Sequence, residues 1–201
     1  MPTSIMILDD FLNEPYELRN AALSLNYLEE PGNFPGRNSD KRIAINGMDG
    51  EISNLVGEPL RGMTAPHAHA KCRISLAKDK AKAKVHVDPS HWSGILYLSR
   101  PEDCRGGTEF FRNRASGLER TAYNDEEAKM YGYNSLNEMV DNIGKDSLDD
   151  SKWEMTMRVP MRFNRLILFR PWLWHTAGES FGDNLENGRL TYLMFYMSSR
   201  L

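Results

Sequence analysis

The chain has little sulfur in thiol form: two cysteines, Cys72 and Cys104, among 201 residues. Neither belongs to a C-x-x-C pair, which argues against a zinc ribbon and against a disulfide framework. Both are read as reduced thiols of a cytoplasmic protein, although sequence alone leaves a bond between them open. No run approaches the ~18 apolar residues that a bilayer-spanning helix needs. Met1 to Asp10 has no basic region ahead of an apolar stretch, so a signal peptide is not expected. Neither sign of charge dominates, with a formal net charge of −3. That removes the electrostatic case for a nucleic acid or an anionic membrane as partner. Internal repeats and low-complexity tracts are missing too. Histidine is scarce, with five in all, so each one can be weighed.

What is present is an ordinary globular composition, 40% hydrophobic and 26% charged. The length predicts a single domain over residues 1–201 with a real core. Ser4–Leu8 reads as a short strand. Pro15 suits the first turn of a helix, where its missing N–H goes unused. Leu18, Ala21, Ala22 and Leu25 then form one apolar stripe. Residues 31–41 (PGNFPGRNSDK) are rich in turn formers and read as a loop. A second helix is expected near Glu51–Leu60.

From Lys71 the pattern turns to strands: Cys72–Ala77, Lys84–Val87, Ser93–Ser99 and, after the Gly106-Gly107 turn, Thr108–Arg112. Residues 115–152 break this pattern. They are polar, with weak helical signals around Glu126–Tyr131 and Leu136–Ile143, and read as a lid-like insertion. Trp153–Val159, Arg165–Phe169 and Arg189–Met197 complete the strands. The predicted fold is mainly β with helical support, built on a double-stranded β-helix (jelly roll) core with a pocket between its sheets.

The chemistry concentrates at His86-Val87-Asp88. On a strand, residues i and i+2 share a face, so His86 and Asp88 can reach one metal ion. A third ligand must come from elsewhere, and His175, 87 residues beyond Asp88, follows an apolar strand. Two histidines and one carboxylate on one face suit iron(II) with open coordination positions. His67, His69 and His91 compete less well: the first two sit in a Pro66 loop and the third in a turn. Arg189 follows His175 by 14 residues and opens the last apolar strand. A guanidinium there can grip a carboxylate through two parallel hydrogen bonds. The distal carboxylate of 2-oxoglutarate would supply one; a salt bridge to Glu179, Asp183 or Glu186 is the plainer reading. Tyr97 and Thr191 are candidates to assist Arg189, with core packing as their alternative. Arg73 and Ser75 point one way on an earlier strand and are candidates to face the pocket. Arg105, Arg112, Arg114 and Arg120 read first as a solvated face, and Trp172 and Trp174 as core or pocket wall.

In order, His86-Val87-Asp88, Gly94-Ile95-Leu96-Tyr97-Leu98-Ser99, Gly106-Gly107-Thr108-Glu109-Phe110, Leu166-Ile167-Leu168-Phe169, His175 and Arg189 resemble the iron(II)/2-oxoglutarate-dependent oxygenase superfamily, in its prolyl-4-hydroxylase-like branch. Leu8-Asp9-Asp10-Phe11-Leu12 with Pro15 resembles that branch's helical N-terminal support. The text around Phe34-Pro35-Gly36 and Gly106–Arg114 is most similar to an uncharacterised bacterial group. The chain departs from the branch at Ser99, where Asn is usual, at Thr108, which directly follows two glycines, and at Arg189, where Lys is frequent. The resemblance implies Fe(II) on His86, Asp88 and His175, with 2-oxoglutarate as cosubstrate on Arg189, Tyr97 and Thr191. It implies O2 and an unidentified small-molecule, peptide or protein substrate as partners. The outcome it implies is hydroxylation, because Asp88 fills the position that halogenating relatives leave small. Two other classes stay open: a zinc or other divalent-metal hydrolase or lyase on the same triad, and a non-catalytic β-sandwich binding module.

Overall fold

The computed structural model describes residues 3–27, 33–80 and 82–200. Strand β1 (Ile5–Leu8) leads into helix α1 (Pro15–Leu23), which has Pro15 in its first turn and buries Leu18 and Ala22. Strand β2 (Arg37–Arg42) precedes helix α2 (Met48–Val56), which stops at Gly57 in the left-handed conformation (φ 70°) that glycine adopts without a steric penalty. Strands β3 (Leu60–Gly62), β4 (Lys71–Ser75), β5 (Trp92–Tyr97) and β6 (Gly107–Asn113) follow. Helices α3 (Asp125–Met130) and α4 (Leu136–Gly144) come next, then β7 (Trp153–Pro160), β8 (Leu166–Phe169), β9 (His175–Thr176) and β10 (Arg189–Ser198).

The strands form two antiparallel sheets. The larger has the order β1-β8-β5-β10-β4-β2, with β3 also paired to β10, and the smaller has the order β7-β6-β9. Side-chain alternation gives the large sheet two faces. Leu190, Tyr192, Met194 and Tyr196 of β10, with Trp92 and Leu96 of β5, pack against Leu18, Ala22 and Ile52 of the helices. Arg189, Leu193 and Phe195 of β10, with Ser93 and Ile95 of β5 and Arg73 and Ser75 of β4, face the cavity on the other side. The mainly β, jelly-roll architecture expected from the strand pattern is the one observed. No helix among the described residues is long and apolar enough to cross a membrane.

Two local expectations need correction. Residues 37–41, read as loop, belong to strand β2, because Arg37 and Asn38 pair with Ile74 and Arg73 of β4. The neighbouring strand supplies hydrogen-bond partners that turn-rich composition does not reveal. Pro31 and Gly32 of that reading lie outside the described residues. Lys84–Val87 is not a continuous strand either: only His86 pairs, in a single antiparallel bridge to His175.

The 115–152 segment carries both expected helices. Asn124 and Ser135 cap them by accepting the amides of Glu127 and Glu138. Their buried residues Ala128, Met139 and Ile143 form one cluster with Val85, Phe111, Trp153 and Trp174.

Candidate metal centre

His86, Asp88 and His175 converge, with one ligand atom from each lying within 4.8 Å of the others. Nε2 of His86 is 3.7 Å from Oδ1 of Asp88, and Nε2 of His175 is 3.4 Å from Oδ2. Backbone pairing sets this geometry. The amide of His86 donates to the carbonyl of His175 and the reverse, while the Asp88 amide donates to the Pro171 carbonyl. Each imidazole is turned by its other nitrogen: Nδ1 of His86 lies 2.9 Å from the Lys84 carbonyl and Nδ1 of His175 lies 2.8 Å from the Leu173 carbonyl. A carbonyl can only accept, so both rings carry the proton on Nδ1 and present the Nε2 lone pair inward. Asp88 accepts from the Ser93 hydroxyl at 3.1 Å, and that hydroxyl sits 2.9 Å from the Ser90 hydroxyl.

The electrostatics suit a cation. Burial lowers the His86 pKa to about 4, the nearby His175 adds to the shift, and Asp88 opposes it. His86 is therefore neutral at physiological pH. Burial pushes the Asp88 carboxyl up, but the neighbouring His175 and His86 and the Ser93 hydroxyl outweigh it and leave the pKa at about 2. Two imidazoles and one carboxylate form a nitrogen and oxygen donor set for a divalent first-row metal.

The triad lines a cavity of about 250 Å³ that also contains Arg189. Arg189 is only 3% exposed, and its Nε and one terminal nitrogen, Nη2, have no hydrogen-bond partner. Among the described residues no carboxylate comes within ion-pair distance of it, and Glu186 instead lies 3.6 Å from Arg19. The salt-bridge alternative therefore does not describe this side chain. Burial lowers the Arg189 pKa from its ordinary value. The Ser99 hydroxyl aims the strand that carries it, donating to the Gly188 carbonyl and accepting the Leu190 amide, both at 2.9 Å. A buried guanidinium with free donors beside a metal-type triad fits an anionic ligand that reaches both.

Tyr97 and Thr191 are placed differently from the sequence expectation. Both are fully buried and neither lines the cavity. The Tyr97 hydroxyl lies 2.7 Å from the Thr108 hydroxyl and accepts the Thr108 amide at 3.0 Å. Its ring centre is 5.8 Å from the Arg189 guanidinium carbon, which makes it a support for Arg189. Thr191 sits opposite both Tyr97 and Arg73, and its hydroxyl is 3.4 Å from the Arg73 carbonyl. Arg73 and Ser75 do line the cavity, as does His67. His69 instead accepts the Phe195 amide through Nδ1. His91 is bonded to Glu58 and Arg170.

Phe34 was missed as a site residue. It lines the cavity, and its ring centre is 3.9 Å from that of His86. Its position in a polar, turn-rich stretch concealed this. The 115–152 segment contributes no lining residue, so it does not cover this cavity as a lid would. Arg112 and Arg120 pair with Glu119, Glu154 and Glu127 on the surface. Trp174 packs on Trp153 in the core, and Trp172 packs on Arg170.

The fold has known counterparts. HygX from Streptomyces hygroscopicus, in a crystal structure with nickel, 2-oxoglutarate and hygromycin B bound, superposes with a TM-score of 0.57 at 12% identity, covering 98% of this chain and 84% of that one. SnoK, a non-heme alpha-ketoglutarate-dependent carbocyclase from nogalamycin biosynthesis, gives 0.56 at 13% identity over 99% and 87% of the two chains. At such identities the likeness speaks for the fold alone. No curated protein matches in sequence. The model of a family of unknown function, DUF6445, matches residues 2–196, and the chain belongs to that family.

Proposed function

We propose that this protein is an iron(II)- and 2-oxoglutarate-dependent dioxygenase of the prolyl-4-hydroxylase-like branch. It hydroxylates an unactivated C–H bond of a small-molecule, peptide or protein substrate in the cytoplasm. The observation that carries this reading is Arg189, buried without a counter-ion among the described residues in the cavity that holds His86, Asp88 and His175. A zinc hydrolase would use the triad but has no task for that arginine. HygX carries nickel and 2-oxoglutarate on the same fold, which agrees with the reading.

In this reading His86, Asp88 and His175 hold the metal, and bound iron(II) supplies the coupling of O2 reduction to oxidative decarboxylation of a 2-oxo acid. The residues of the chain do the rest. The Lys84 and Leu173 carbonyls keep both imidazoles in the ligating tautomer. Asp88 contributes one negative charge and occupies the position a halide would need. Arg189 binds the far carboxylate of the cosubstrate through its free nitrogens. That pairing is strong because the guanidinium is buried, where opposite charges attract more strongly than in bulk water. Ile95, Leu193, Phe195 and Phe34 wall the cavity and exclude solvent from the reacting centre.

The test is anaerobic addition of iron(II) and then 2-oxoglutarate to metal-free protein, followed by visible absorption. The expected result is a charge-transfer band that needs both additions, is absent in Asp88→Ala and is weakened in Arg189→Met. Tight zinc binding with no effect of 2-oxoglutarate would overturn the reading in favour of the hydrolytic class. No metal binding at all would favour a binding module.

A further inference from the structure

Residues 33–38 form a strap beside the metal centre that is tied at both ends. At one end the Asn33 carbonyl accepts the amides of Lys82 and Ala83 at 2.9 and 2.8 Å, on the segment that leads to His86. At the other, Arg73 of β4 grips the strap with its whole guanidinium. Nε donates to the Pro35 carbonyl at 3.0 Å, Nη1 to Asn38 Oδ1 at 2.8 Å, and Nη2 to the Phe34 and Pro35 carbonyls at 2.8 Å each. Gly36 lets the strap lie this close. Its φ is +90°, and a Cβ there would fall 2.3 Å from the Ile74 carbonyl oxygen. Between the two ties sits Phe34, its ring 3.9 Å from that of His86 and inclined by 37°. His175 lies beside the same imidazole at 4.4 Å.

All the acceptors of Arg73 are neutral, so the side chain acts as a fork of donors and not as half of an ion pair at hydrogen-bond distance. Lys cannot reproduce that fork. We propose that Arg73 is a positioning residue for the metal centre: it holds the strap so that Phe34 seats the His86 imidazole in its ligating orientation. The inference rests on the proposed metal-binding role of His86, Asp88 and His175, and it adds a residue outside that triad.

Cobalt(II) titration of the metal-free protein, read by its visible d–d absorption, tests this without needing a substrate or turnover. Arg73→Lys is the informative variant because it keeps the positive charge near His86, whose loss would itself favour a cation. Phe34→Ala and the double variant complete the set, with Phe34→Leu as a better-packed control. The expected result is about tenfold weaker cobalt binding in Arg73→Lys and in Phe34→Ala, as when a ligand's supporting partner is removed. The double variant should bind no more weakly than either single one, because both act through the same contact. Phe34→Leu should fall between wild type and Phe34→Ala. If Arg73→Lys lowers only the unfolding midpoint and keeps wild-type affinity and spectrum, Arg73 is structural and the proposal fails. Additive losses in the double variant would also overturn it. Cobalt binding absent from wild type would instead remove the metal reading on which the inference rests.

Discussion

His86 and His175 are backbone partners, each amide donating to the other's carbonyl at 2.9 Å. The two imidazoles therefore start from directly opposed positions on antiparallel chains. Their separation is set by sheet geometry and not by side-chain reach. With Nδ1 of each ring committed to a carbonyl two residues earlier, little remains to be ordered when a cation arrives.

Arg189 is held at a disadvantage for folding. Replacing it with Met keeps the volume and removes a buried charge that has no counter-ion among the described residues. The metal-free and cosubstrate-free protein is expected to gain on the order of 1–3 kcal/mol in stability from Arg189→Met. Urea unfolding measures this. Under the proposed function, 2-oxoglutarate should raise the melting temperature of the iron-loaded wild type, and the same variant should lose that rise. A destabilised variant that still responds to 2-oxoglutarate would contradict the role given to this residue.

Tyr97→Phe separates support from ligand contact. The substitution leaves the buried Thr108 amide without its acceptor, a loss of about 1–3 kcal/mol. Affinity for 2-oxoglutarate should fall far less than in Arg189→Met, because the hydroxyl does not line the cavity. Calorimetric titration of both variants decides between a positioning and a direct role.

Met139 in α4 tests how firmly the 115–152 segment is attached. The residue is fully buried against the second core cluster. Met139→Ala should lower unfolding stability by about 2–4 kcal/mol, the usual range for truncating a core side chain. A segment that opens freely as a lid would show almost no change.

His69 predicts a pH dependence away from the metal centre. Burial holds its pKa below the ordinary value; Asp49 opposes this and does not overcome it. The unfolded chain therefore takes up this proton at higher pH than the folded one. Stability from this group is complete above the unfolded pKa of about 6.5 and falls as pH drops toward the folded value. His69→Asn can keep an acceptor for the Phe195 amide and removes the titration. Urea midpoints measured at a series of pH values from roughly 7.5 to 5 should fall less steeply in the variant. Parallel slopes would refute the assignment.

Local pattern made much of the fold legible. Pro15 began α1, the apolar run of residues 189–197 marked β10, and weak helical signals near 126–131 and 136–143 marked the two insertion helices. The His86-Val87-Asp88 spacing placed two polar donors on one face even though the segment makes only a single bridge. Strand β2 was not legible, because its residues are polar and become a strand only where β4 offers free backbone groups. Phe34 was hidden for the same reason: nothing within its own stretch indicates that Arg73, far along the chain, will press it onto His86.

The sequence by itself determined which residue types were available and at what local period: the triad donors, the apolar strand faces and the helix starts. These follow from alternation and capping, which act over a few residues. Only the tertiary structure decided that Arg189 has no carboxylate beside it among the described residues, that Tyr97 spends its hydroxyl on Thr108, and that residues 115–152 pack outside the cavity. Those outcomes depend on which distant strands pair and in what register. Register is a collective property of the whole sheet, and no window of the chain contains it.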